Sequence, residues 1–252
     1  MTTSKSSPTV DRAAVINRLD SVTDPELDRS IVELGYIDDL RVESTVFVRF
    51  TLPTAWCSPA FAWMMAVDIR DSMSELSGVE HVTVRLADHM HAEEITNGVN
   101  EGRAFDAVFE DAMDGVEAVR ATLDAKARLA RQYRAVETLL GAGLDPEQIT
   151  GLRRTDLTFD EETNRVAIAT DGVVVYAPAP PLTEYVEKAN ETGILCEPDD
   201  RLFVTPEGTP ITPEAFERVH HRARSARTNM TGQGAVCEAL QDARYGRGSV
   251  ER

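Results

Sequence analysis

Lysine is almost missing from this 252-residue chain: Lys5, Lys126 and Lys188 are the only three. Arginine supplies nearly all of the 26 basic residues, which face 43 acidic ones, and the formal net charge is −17. That balance repels phosphate over most of the surface, so nucleic acid is not expected as a partner. Acid excess with scarce lysine fits a salt-rich cytoplasm, where a short Debye length screens self-repulsion and carboxylates keep the surface hydrated. An acidic protein of a GC-rich mesophile is the other reading of the same composition.

Long apolar runs are absent as well. The longest, Pro59 to Val67, falls far short of a membrane span, and Met1-Thr2-Thr3-Ser4-Lys5-Ser6-Ser7 lacks the apolar core of a signal peptide. A cytoplasmic protein with no membrane partner is therefore expected. Cysteine occurs three times, at Cys57, Cys196 and Cys237, without C-x-x-C spacing. This excludes a disulfide framework and a self-contained zinc ribbon, and any metal site must draw on other ligand types. At 42% hydrophobic and 27% charged residues the composition is that of a globular protein, long enough for one or two domains with real cores.

The first hundred residues read as one unit. Asp11 to Leu19 carries apolar residues at helical spacing behind a capping Asp11. Asp24-Pro25 suits a short helix start that ends near Gly35. Tyr36 to Val42 and Thr45 to Leu52 form two strands, the second alternating Val46, Val48 and Phe50. Pro59 to Leu76 is a long helix, and Glu80 to Leu86, alternating Val82, Val84 and Leu86, a third strand after Gly78. The fold class is α/β (α+β), in the order αββαβ.

Cys57 stands in Thr51-Leu52-Pro53-Thr54-Ala55-Trp56-Cys57-Ser58-Pro59, at the turn from strand to helix. A thiol at a helix N-terminus sees N–H donors and the positive end of the dipole, which favour a metal-binding thiolate. An inert packed thiol is the alternative on chemistry alone. Together with Asp24-Pro25-Glu26-Leu27 and Ile31-Val32-Glu33-Leu34-Gly35-Tyr36-Ile37, this phrase resembles the SufT/PaaD-type domain of iron–sulfur cluster assembly over residues 9–88. The resemblance implies that Cys57 transfers or installs clusters, with iron or an iron–sulfur cluster bound transiently. Without the cysteine-rich tail of the PaaD-like members, a SufT-like accessory role is the closer match.

The densest set of further ligand types is Asp88-His89-Met90-His91-Ala92-Glu93-Glu94. Extended backbone would point His89 and His91 to one face, with Glu93 or Glu94 folding back from a helix that starts at Ala92. Imidazole and carboxylate suit iron or zinc, and Cys57 could complete a mixed site of Cys57, His89, His91 and Glu93. A solvated, helix-capping loop explains the same residues. Asp24 and Glu26, with Thr51, are candidates to support such a site, although Asp-Pro-Glu is also a helix start in its own right. Trp56 and Trp63, with Phe61, Met64 and Met65, cover a core face or a partner surface.

The rest divides into a connecting helix over 101–131 and a mixed, mainly helical second domain over 132–252, following the assembly domain at 1–100. Phe105 to Leu140 is expected to be largely helical, with Val108, Ala112, Val116, Val119 and Leu123 on one face. A short helix capped by Asp145, strands near 157–159, 166–168 and 173–176, and helices over 182–189 and 213–226 follow. Residues 132–227 resemble part of a tyrosine recombinase catalytic domain in element order. The chemistry is missing: Asp145 stands where that family has its first catalytic arginine, His221 and Arg224 fall on the helix before the usual box, and Tyr245 lies in the polar tail Arg244-Tyr245-Gly246-Arg247-Gly248. Strand cleavage needs guanidinium groups on the phosphorane, so none is expected.

Two functions follow. The first is a non-enzymatic cluster or iron delivery factor whose partners are client metalloproteins and other assembly proteins, with a homodimer sharing metal through paired Cys57 thiolates as one arrangement. The second is a nucleic-acid-binding or regulatory protein using Arg218, Arg222, Arg224 and Arg227 as a basic stripe. The charge balance itself has a measurable consequence. Raising potassium chloride toward about 1 M cuts the Debye length to ~3 Å, so the thermal midpoint should climb with salt; a midpoint that falls steadily would contradict the reading of a salt-adapted surface.

Overall fold

The computed structural model describes residues 10–110 and 115–246. Met1 to Ser7, Ala112, Arg247 and Gly248 lie outside these residues. The chain is an α/β protein made of two compact units, Met1–Arg120 with Gly232–Arg252, and Ala121–Thr231. The first boundary falls earlier than the expected one after residue 131. The second assigns the chain from Gly232 onward to the first unit.

In the first unit α1 (Arg12–Asp20) starts at Asp11, whose carboxylate accepts the Ala13 N–H at 3.0 Å. The segment after it departs from expectation. Instead of a helix, β1 (Thr23–Asp24) and β2 (Arg29–Ser30) form a two-residue antiparallel pair around the turn 25–28. Asp24 does cap the N–H groups that follow, but Asp28 adopts φ 52° and reverses the chain before a second helical turn can form.

Next come β3 (Ile37–Val42), β4 (Thr45–Thr51), α2 (Pro59–Ser74) and β5 (His81–Ala87), in the sheet order β3-β4-β5. The β3–β4 pair is antiparallel and the β4–β5 pair parallel. The register sets Val46 beside Val82, Val48 beside Val84 and Phe50 beside Leu86. All six side chains are buried, so one sheet face is a continuous apolar surface. Ala62, Ala66, Ile69 and Met73 of α2, spaced by three or four residues, belong to the same core. A parallel pair needs a crossover helix, and α2 provides it while covering the sheet.

The expected helix from Phe105 is interrupted. Beyond α3 (Ala92–Asn100) there is a 3₁₀ turn at Phe105–Ala107, and the long helix α4 begins only at Val116, running Val116–Gly141. Phe105 and Phe109 stand edge-on to Trp63, with ring centroids 5.6 and 6.3 Å away, and this aromatic cluster holds the chain against the core there.

The second unit contains α5 (Pro146–Gly151), the antiparallel meander β6 (Leu157–Asp160), β7 (Arg165–Thr170) and β8 (Val173–Pro178), and α6 (Pro180–Glu191). Asp145 and Gln148 form a reciprocal capping box on α5. Asp171 and Gly172, both at positive φ, make the two-residue hairpin between β7 and β8. Leu139, Ile149, Val166, Ile168, Leu182 and Tyr185 are among its core residues. The last helix, α7, is longer than expected: it runs Phe216–Tyr245, so that Tyr245 is helical and the polar tail forms ordered structure as far as Gly246. Among the described residues no helix is long and apolar enough to cross a membrane.

Candidate functional site

Parallel pairing places the C-terminal ends of β4 and β5 at the same edge of the sheet, and the loops that leave them meet. The Met90 N–H donates to the Ala55 carbonyl at 3.0 Å. His89 Nε2 lies 2.8 Å from the Cys57 carbonyl, and His89 Nδ1 accepts the His91 N–H at 3.1 Å. Since a carbonyl can only accept, Nε2 carries the ring proton. Both nitrogens are thereby engaged, and His89 acts as a clamp between the two loops.

Cys57 is half-buried, packed against the core of the first unit, with its sulfur 3.4 Å from the Thr54 hydroxyl. Ser58 and Pro59 begin α2 immediately after it, and no side chain caps that helix start. All three cysteines are free thiols. On either side of the thiol the loops expose large apolar groups: Trp56 is 76% exposed and Met90 53%.

The other candidate residues occupy varied positions. The His91 ring stands edge-on to Phe109, with centroids 5.3 Å apart, and its Nδ1 is 3.6 Å from the Glu94 carboxylate. Glu93 is exposed in the first turn of α3, where an acid suits the helix dipole. Thr51 is buried, its hydroxyl bonded to the Asp38 carboxylate and its N–H to the Tyr36 carbonyl. Among the described residues no group of three or more His, Cys, Asp or Glu side chains is placed to hold a metal ion.

Asp24 is buried beneath this edge. One carboxylate oxygen accepts the N–H groups of Glu26 and Leu27 at 2.8 and 3.1 Å, and the other accepts the Tyr36 hydroxyl at 3.1 Å. Burial pushes its pKa above the ordinary 3.8, while these three bonds pull it back. Burial also raises Tyr36, helped by the charge of Asp24 beside it. A buried acid with three donors already satisfied is a fastening for the 24–28 turn.

Cys237 is the residue that motif reading passed over. It lies on the part of α7 that belongs to the first unit and packs, half-buried, against the same core as Cys57. Burial pushes its pKa up to about 11, with Asp24, Cys57, Glu26 and Glu238 adding to the rise, so the group is a neutral thiol at pH 7. The signal for it was available as the spacing Gln233, Cys237, Gln241, one stripe of a helix. Of the recombinase-like positions, Asp145 is the cap of α5, His221 and Arg224 are exposed, and the Tyr245 hydroxyl sits 3.5 Å from the Leu52 carbonyl.

Comparison with known proteins bears on the first unit. Residues 12–85 match the family described as iron–sulfur cluster assembly protein. An uncharacterized protein of Methanocaldococcus jannaschii is 33% identical over 94 residues, which cover 36% of this chain and 97% of that protein. Through this domain the chain belongs to the iron–sulfur cluster assembly family. The matched residues all lie in the first unit, and the match lends nothing to the recombinase-like order of the second.

The clamp has a pH signature. Burial lowers the His89 pKa below 6.5; His91 and Arg244 lower it further, while the bond to Cys57 and the Glu94 charge oppose them. A histidine depressed in the fold binds fewer protons there than in the unfolded chain. Its contribution to stability is thus complete above the unfolded value of about 6.5 and is lost as pH falls through the lower folded one. Proton NMR of the imidazole should give a His89 midpoint below 6.5; a midpoint at or above that value would contradict the clamp.

Proposed function

We propose that this protein carries iron, or an iron–sulfur cluster, and passes it to client apoproteins, with Cys57 as the donating ligand. The observation that carries the reading is a half-buried free thiol at the meeting point of two strand-end loops, between exposed Trp56 and Met90, in a domain of the assembly family. A carrier ligand must be open enough for an incoming ligand to displace it and sheltered enough to limit hydrolysis. Partial burial suits both demands. Trp56 and Met90 supply apolar contact for a client at the point of transfer.

Thiolate binding of the cargo releases the thiol proton, and transfer to a client is an exchange of one thiolate for another. No turnover of a small substrate is required, so the protein acts as a carrier rather than an enzyme, in the cytoplasm. Zinc is the alternative cargo for the same donor. His89, fastened through both nitrogens, serves this scheme by positioning the Cys57 backbone. His91 and Glu93 become ligands only if their loop rearranges. The nucleic-acid reading draws less support: Arg218, Arg224 and Arg227 are exposed on α7, but Arg222 is paired with Glu207 at 3.3 Å, and the net charge opposes phosphate.

Replacement of Cys57 by Ser tests the proposal. In an anaerobic assay with an iron–sulfur apoprotein as acceptor, Cys57→Ser should lower transfer to the rate seen without carrier. Its thermal midpoint should move by less than about 5 °C, since a partly buried thiol contributes under about 1 kcal/mol. Equal transfer by the variant would remove Cys57 from the mechanism, and loss of folding would make it a core residue instead.

A further inference from the structure

Asp88, the first residue beyond β5, holds a left-handed backbone conformation that is rare outside glycine, with φ 51°. The bend it makes sends His89 back toward the Cys57 loop, where Nε2 donates to the Cys57 carbonyl at 2.8 Å and Nδ1 accepts the His91 N–H at 3.1 Å. The geometry of the thiol loop thus depends on one exposed residue in an unfavourable conformation.

Asp88 does not hold that conformation unaided. From the last turn of α7, Arg244 Nη2 donates to its carbonyl at 2.8 Å. The guanidinium lies over the neighbouring Tyr245 ring, 5.0 Å from its centroid, and the Tyr245 hydroxyl lies 3.5 Å from the carbonyl of Leu52, the first residue beyond β4. Two adjacent side chains therefore reach the two strand ends from which the loops carrying Cys57 and His89 depart. The helix end that bears them is itself anchored. Gln241, buried, reaches the Gly35 carbonyl at 3.4 Å, Glu238 pairs with Arg29, and Gln233 Nε2 donates to the Glu26 carboxylate at 2.9 Å. An arginine in the last turn also complements the helix dipole, but that role needs only a cation near the helix end and no bond to Asp88.

We propose that Arg244 is a positioning residue for Cys57, acting through Asp88 and His89. The guanidinium fixes the Asp88 carbonyl, the bend at Asp88 aims the imidazole, and the imidazole fixes the Cys57 backbone. Tyr245 braces the other loop at Leu52. The inference rests on the reading of Cys57 as the cargo thiol, and it puts a working part of the site on a helix outside the matched residues 12–85.

Amide hydrogen exchange of the metal-free protein, resolved by NMR, reads this series of contacts without any cargo. The reporters are the Met90 N–H, bonded to the Ala55 carbonyl, and the His91 N–H, bonded to His89 Nδ1. The Thr51 N–H, bonded to the Tyr36 carbonyl, is the control. Arg244→Gln should speed exchange at both reporters by roughly tenfold, the effect of one charge-assisted bond on local opening, and leave Thr51 within about twofold. Arg244→Lys keeps a charged donor and should recover most of the protection; glutamine and lysine have similar helix propensities, so both variants keep α7. In an anaerobic transfer assay Arg244→Gln should slow delivery severalfold with Cys57 intact. Unchanged reporters, or reporters and control accelerated together, would overturn the positioning role, as would loosened loops with transfer undiminished. A wild-type protein that transfers no iron would remove the carrier reading instead, and the exchange rates alone would then decide whether Arg244 holds the loops.

Discussion

The parallel pairing of β4 with β5 is the constraint on which the candidate site depends. Had these strands been antiparallel, the loop carrying Cys57 and the loop carrying His89 would lie at opposite edges of the sheet. In parallel they leave the same edge, and two hydrogen bonds, from Met90 to Ala55 and from His89 to Cys57, join them. The register that permits this is enforced by Val46, Val48 and Phe50 against Val82, Val84 and Leu86. A slip of one residue in either strand would turn its three side chains to the other face. Burial of the core and position of the thiol are thus settled by one pairing.

The environment of each thiol follows from what surrounds it. Cys57 sits half-buried where the loops after β4 and β5 meet, and those loops expose Trp56 and Met90. Cys237 packs half-buried against the core of the first unit, and burial raises its pKa so that the thiol stays protonated at pH 7. Asp24 itself, fully hydrogen-bonded, keeps the 24–28 turn in place for Arg29 and Glu26 to hold α7.

Much of this was legible in the residues. Period-two alternation marked β4 and β5, Asp11 and Asp145 marked helix starts, and the phrase ending in Cys57 marked the turn where the thiol lies. The helix expected at Asp24 failed because the cap pattern of Asx turns and helix starts is the same for its first N–H groups; only the conformation of Asp28 separates them. The length of α7 was missed for another reason. The helix was expected to end at residue 226, while the packing that sustains it beyond there involves residues some 200 positions away, Glu26 and Gly35 among them. Local propensity carries no record of such contacts. The parting of the units at Thr231/Gly232, and with it the place of Cys237, therefore became visible only in three dimensions.

Iron and acid-labile sulfide, measured per chain after anaerobic purification of wild-type and Cys57→Ser protein, test the assignment of the carrier thiol most directly. Iron with sulfide in the wild type, and loss of both in the variant, is the result expected of a cluster held at Cys57. The same iron content in both proteins would contradict it.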